Sequence, residues 1–201
     1  MSLPEDITLY FEPDDVVVEA RIVELTPALW QQAMEAAWWD DEDLDPRAAE
    51  NSIDRHWSWF APVDLAEVPL SCLRVAIVTG DGQIQGAMVI SSDSVPSSLH
   101  PGQRCLFVDQ ICSAPRNRSR LRKDKEKWFK GVGTELLQWG VRLSVELGCD
   151  GKLWLLASPE GEAVYRWLGF RELNLESVTH EGIKYKPMEL PLEAVAAFFS
   201  K

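Results

Sequence analysis

Residues 107–170 read FVDQICSAPRNRSRLRKDKEKWFKGVGTELLQWGVRLSVELGCDGKLWLLASPEGEAVYRWLGF, and this stretch decides the fold. Phe107 to Ser113 is a strand-like run that meets a basic loop. Gly131-Val132-Gly133 then opens an amphipathic segment in which Leu136, Leu137, Val141 and Leu147 recur at helical spacing, ending near Gly148. Lys152 to Ser158 forms a second strand-like run. A short helix carrying Tyr165 follows, stopped by Leu168-Gly169-Phe170. The order is strand, glycine-rich turn, helix, strand, helix.

Outward from this unit, Val16 to Val23 alternates like a first strand. Thr26 and Pro27 sit where the N-cap and first position of a helix from about Pro27 to Trp39 belong. The acidic run Asp40-Asp41-Glu42-Asp43 breaks that helix. A second helix is expected from Arg47 to Phe60, with Ile53, Trp57 and Phe60 on one face. Leu73 to Thr79 and Gln83 to Ser91, joined through Gly80-Asp81-Gly82, predict a hairpin, and Ser92 to Gly102 a loop. Arg171 to Val178 and Ile183 to Leu190 predict two closing strands around Glu181-Gly182, and Pro191 opens a final helix. No internal repeat or linker interrupts the chain, so a single α+β domain over residues 1–201 is expected.

The 201 residues are 46% hydrophobic and 26% charged, the proportions of a globular protein. No apolar run reaches the roughly 18 residues of a membrane span. The first residues lack the basic and apolar regions of a signal peptide, so a cytoplasmic protein with no membrane partner is expected. Cys72, Cys105, Cys112 and Cys149 form no CxxC pair, and His56, His100 and His180 share no ligand spacing, so no metal is expected. Charge is unevenly placed. Residues 1–70 hold 17 Asp and Glu against three Arg, a net of −14, whereas residues 116–130 hold eight Arg and Lys against two acids, a net of +6. This asymmetry suggests partners of opposite charge at two places. A nucleic-acid backbone on the basic loop is opposed by the total charge of −12.

A glycine pair at a helix start is a candidate phosphate site, because unpaired N–H groups and the helix dipole favour an anion there. Taken with the order of elements around it, the stretch 107–170 resembles the cofactor-binding half of the GCN5-related N-acetyltransferases. The resemblance implies a mixed, mostly antiparallel sheet of six to seven strands flanked by about four helices, with a cofactor-binding core at about 104–170. It implies transfer of an acetyl group from acetyl-coenzyme A to an amine. Lys130, Gly131, Val132, Gly133 and Thr134 then correspond to the pyrophosphate turn, although Trp128 stands where the family writes Arg or Gln. Val108 to Pro115 corresponds to a bulged strand whose Ile111, Cys112 and Ser113 backbones pair with the pantetheine arm, an N–H near Cys112 polarising the thioester. Tyr165, four residues before Gly169, corresponds to the proton donor to the leaving thiolate. Ser158 stands where the family has a coenzyme-contacting Asn. Asp109 corresponds to a carboxylate that accepts the amine's proton, or is an ordinary strand residue.

The acceptor of the resembled enzymes enters beside the segment that is Trp38 to Asp45 here. Trp39, Asp40, Asp41 and Asp43 would hold a cationic amine of a small molecule or peptide, by charge and by cation–π attraction of roughly 0.5–2 kcal/mol. The alternative is a solvated acidic surface over core tryptophans. The basic loop 116–127 either folds over the coenzyme's 3′-phosphate or is solvated. A domain of this fold that binds coenzyme A or a protein partner without catalysis is the other functional reading, and monomer and homodimer are both compatible with the sequence.

Overall fold

Two strands open the chain, and the computed structural model, which describes residues 2–31, 38–39, 41–65 and 68–199, pairs them antiparallel. They are β1 (Glu5–Phe11) and β2 (Val16–Glu24). α1 (Pro27–Trp30) begins as expected, with Thr26 Oγ1 accepting the Leu29 N–H, while the rest of the helix expected to Trp39 lies mostly on residues 32–37, outside the described residues. α2 (Pro46–Glu50) is capped by Asp45, whose carboxylate accepts from the N–H groups of Arg47 and Ala48. The helix expected to reach Phe60 stops there instead. Asn51 Nδ2 turns back onto the Arg47 carbonyl, and the Asp54 carboxylate is taken by Ser52 and by Arg118. Ile53–His56 is then a single tight 3-10 turn.

A side ribbon of β3 (Val63–Leu65) and β4 (Val68–Leu70) leads to the predicted hairpin, β5 (Cys72–Thr79) with β6 (Ile84–Pro96). The Asp81 side chain holds its turn by accepting from the Thr79 hydroxyl and the Gln83 N–H. β6 runs to Pro96, so the first part of the expected loop from Ser92 is strand. β7 (Arg104–Ser113) pairs antiparallel with β6, β8 (Phe129–Lys130) with β1, and α3 (Val132–Glu146) crosses to β9 (Leu153–Ala157), which lies parallel to β7. α4 (Glu162–Leu168), β10 (Arg171–Glu172), β11 (Val178–His180), β12 (Ile183–Leu190) and α5 (Leu192–Phe198) complete the chain.

The sheet runs β10-β12-β9-β7-β6-β5-β2-β1-β8, with β11 on β12. It is the mixed, mostly antiparallel sheet expected, but wider than six to seven strands. β1 adds a strand that the Val16 start missed, and the very short β8, β10 and β11 add edges too brief to show a periodicity. Alternation along β7 divides the core. Leu106 and Val108 pack with Leu136, Leu137 and Trp139 of α3 on one face, and Cys105 and Phe107 with Trp38 and Trp59 on the other.

Candidate active site

β7 and β9 touch only from Leu106↔Leu153 to Val108↔Leu155. Past Val108 the two part, since β9 continues against β12 while β7 keeps only β6. A bulge marks the parting. Ile90 faces Val108 and Val89 faces Gln110, so Asp109 is the extra residue on β7. Downstream, the Ala114 N–H donates to the Gln85 carbonyl at 2.8 Å. Antiparallel pairs alternate, so Cys112 also turns its backbone toward β6, and Ile111 and Ser113 turn theirs to the open edge. The expected donor near Cys112 therefore moves to its neighbours. The Ser113 carbonyl accepts from Arg118 Nε at 2.7 Å, which leaves the groups of Ile111 and the N–H of Ser113 along the edge.

This edge lines a cleft of about 680 Å³ together with Lys130, Gly131, Val132, Gly133, Thr134, Ser158 and Tyr165. All the expected cofactor residues thus meet in one place. Gly131, at φ +80°, sits in the left-handed region that glycine enters without penalty, and it swings the chain into α3. The helical ladder starts at Glu135, whose N–H donates to the Gly131 carbonyl at 2.9 Å, so the N–H groups of Val132, Gly133 and Thr134 precede it. A Cβ on Gly133 would meet only Ser113 Oγ, at 3.9 Å, so the approach to these donors is open. Lys127 and Arg120 also line the cleft; Lys130 Nζ pairs with Glu12 at 2.6 Å, and Arg120 pairs with Glu160.

Tyr165 packs edge-on to Phe170, with ring centroids 5.6 Å apart. Burial, and after it the neighbouring Cys112, pushes the phenol above its ordinary 10, so it stays protonated and able to donate. Its ring occupies the space a Cβ on Gly161 would need, 2.7 Å from Cε2. Ser158 Oγ accepts the Gly161 N–H at 3.3 Å, which leaves its own O–H to donate. Cys112 lines the same cleft; burial, and after it Asp54, raises its thiol well above 9.0, and Arg118 only partly offsets this.

The remaining expected residues lie elsewhere. Asp109 is beside Arg74 and Cys72; burial raises its carboxyl above 3.8, and Arg74 pulls it back. Asp41 and Asp43 each lie 3.7 Å from Arg122, which also binds Asp124. Trp39 is flanked by its own chain's cations, the guanidiniums of Arg55 at 5.5 Å and Arg118 at 5.9 Å. Asp40 lies outside the described residues. The basic loop is folded in over residues 116–122, apart from the exposed Arg120, whereas residues 123–127 are exposed. Arg116 and Arg122 stack over Trp128 at 5.2 and 5.8 Å, and Arg118 grips Asp54 with both ends of its guanidinium. Trp128 therefore anchors the loop instead of supplying the family's polar contact. Ile53, Asp54, Trp57 and Arg118 also line the cleft, and of these sequence reasoning missed Ile53 and Asp54. The signal was available in the opposite charges of the two segments, which meet each other. Among the described residues no group of three or more His, Cys, Asp and Glu is placed to hold a metal ion.

No family model matches the sequence, and no curated protein matches it. The fold does have solved counterparts. Nourseothricin acetyltransferase superposes with a TM-score of 0.51 at 20% identity, over 86% of this chain and 98% of that one. A protein of the yellow fever mosquito, provisionally assigned as an arylalkylamine N-acetyltransferase, gives 0.53 at 14%, over 95% and 96%. This is the GCN5-related N-acetyltransferase fold. An uncharacterised Bacillus halodurans protein shares it at a TM-score of 0.54 and 8% identity, over 98% of this chain and 94% of that one. The open β7 edge is the feature of the acetyltransferase fold that most directly shapes the site.

Proposed function

We propose that this protein transfers an acetyl group from acetyl-coenzyme A to the amine of a small molecule or peptide. One observation carries the reading: the unpaired edge at Ile111 and Ser113, the free N–H groups of α3 and the Tyr165 phenol share a single cleft. The pantetheine amides extend the sheet along that edge as a further strand would, and the pyrophosphate rests on the helix start. An edge N–H donates to the thioester oxygen as it gains charge. The deprotonated amine nitrogen attacks the carbonyl carbon, the C–S bond breaks, and the departing thiolate, hydrogen-bonded by the Tyr165 phenol, takes up the proton the nitrogen sheds as it becomes an amide. Asp109 does not line this cleft, so water takes the proton lost from the ammonium before attack. Attack is direct. The Cys112 thiol, pushed up by burial, stays protonated and makes a poor nucleophile.

Calorimetric titration with acetyl-coenzyme A, followed by turnover over an amine panel, tests the reading. No heat of binding would remove it; binding without turnover would leave a coenzyme-binding domain. Tyr165→Phe should lower kcat by no more than about a hundredfold, because a thiolate of pKa near 8.5 leaves moderately well unaided. Gly161→Ala should reproduce that loss with the phenol intact, since the new methyl displaces the ring. A Gly161→Ala enzyme with unchanged kcat would show that the position of the ring is immaterial.

A further inference from the structure

The identity of the acceptor is narrowed by the charges in the cleft wall. Among the described lining residues, Arg118, Arg120, Lys127 and Lys130 oppose Asp54, Glu135 and Glu160. The carboxylates are already engaged or disfavoured as anions. Asp54 binds Ser52 and Arg118, Glu160 binds Arg120, and burial raises the Glu135 carboxyl while Arg142 lowers it. The cations are committed too, Arg118 to Asp54, Arg120 to Glu160 and Lys130 to Glu12, so among the described lining residues no uncommitted carboxylate is left to receive the further charges of a polycation. The acidic front offers no relief, since Asp41 and Asp43 face Arg122 and the ring of Trp39 faces two guanidiniums.

What the wall does offer is apolar. Ile53 and the half-buried Trp57 join the cleft beside Ile111 and Cys112, and Trp57 is braced by Trp59 at 5.8 Å between centroids. The brace keeps the indole in place. A rigid indole gives a large contact area at little entropic cost, the kind of anchor on which binding energy concentrates. The clamp of Arg118 on Asp54 holds this 3-10 turn against the end of β7, so the apolar wall and the open edge keep a fixed spacing.

We infer that the acceptor is a monoamine carried on an aromatic or alkyl body that seats against Trp57 and Ile53. The inference rests on the acetyl-transfer reading and names its substrate class.

The test compares 2-phenylethylamine, hexylamine, spermidine and a lysine-containing peptide as acceptors, with the affinity for acetyl-coenzyme A measured alongside. The expected result is a kcat/KM for phenylethylamine or hexylamine at least about tenfold above spermidine and the peptide. Trp57→Ala should raise the KM of phenylethylamine by about tenfold with the Kd of acetyl-coenzyme A unchanged, and Trp57→Phe should restore most of it. Preference for spermidine or the peptide, an unchanged KM in Trp57→Ala, or bound coenzyme with none of the four acetylated would each overturn the inference and leave the coenzyme site standing. Failure to bind acetyl-coenzyme A at all would instead remove the reading beneath it.

Discussion

Asp54→Ala is expected to destabilise the protein by about 3–5 kcal/mol, because it leaves the Arg118 guanidinium buried without its counter-ion. Arg118 has a side chain only 14% exposed and Asp54 one 6% exposed, so water screens neither. Burial by itself would raise the Asp54 carboxyl; the bonds and charge of Arg118 outweigh it and hold the group below its ordinary 3.8. A depressed carboxyl contributes stability above its unfolded value and loses it as the pH falls through the folded one. The deficit of Asp54→Ala in urea denaturation should therefore be full at neutrality and shrink below pH 3.8, as the wild-type pair is itself protonated. Replacing both partners, Asp54→Leu with Arg118→Met, should recover much of the loss. A single-variant deficit under about 1 kcal/mol would show that the pair behaves like an exposed one.

Gly86→Ala is the second large effect, and it strikes the proposed coenzyme site from behind. Gly86 lies opposite Ser113 in the β6–β7 ladder, and a Cβ there would stand 2.5 Å from Val132 Cγ1 and 2.9 Å from the Cys112 carbonyl oxygen. Neither neighbour yields cheaply. One is the first residue of α3 and the other is backbone of the open strand, so relief comes only by parting the phosphate turn from the pantetheine edge. Overpacking of this kind costs about 1–3 kcal/mol. Affinity for acetyl-coenzyme A should fall by about tenfold or more, since the two halves of its site no longer hold their spacing. Wild-type affinity in Gly86→Ala would mean that β6 and α3 can separate without disturbing the cleft.

Local pattern and short-range punctuation were readable in the sequence. The hairpin around Asp81, the helix after Gly131 and the stop at Gly169 follow from periodicity and glycine placement, and those are the elements that assemble the cleft. What escaped was decided by contacts between distant residues. The helix expected through Trp57 is halted by a carboxylate drawn to Arg118, and no window around residue 54 contains that arginine. The acidic and basic segments suggested two external partners, yet Arg122 and Arg118 show them to be substantially each other's. Charge counted along a chain carries no information about which charges fold together. Asp109 is expected on a bulged strand, six residues before Pro115; the register puts the bulge at Asp109 itself, a consequence of pairing with β6 that one strand cannot reveal.

The pairing of Phe129 and Lys130 with Phe11 and Tyr10 bears on how the protein is made. The first strand leaves the ribosome early and pairs locally with Val16 to Glu24, but its other neighbour is synthesised only after the whole basic loop. Lys130, the residue before Gly131, is thus docked on β1 by one of the longest-range contacts among the described strands. Such contacts carry the greatest loop-closure cost and form slowly. During synthesis the β1–β2 and β5–β6 hairpins are complete before Phe129 and Lys130 exist to close the span back onto β1.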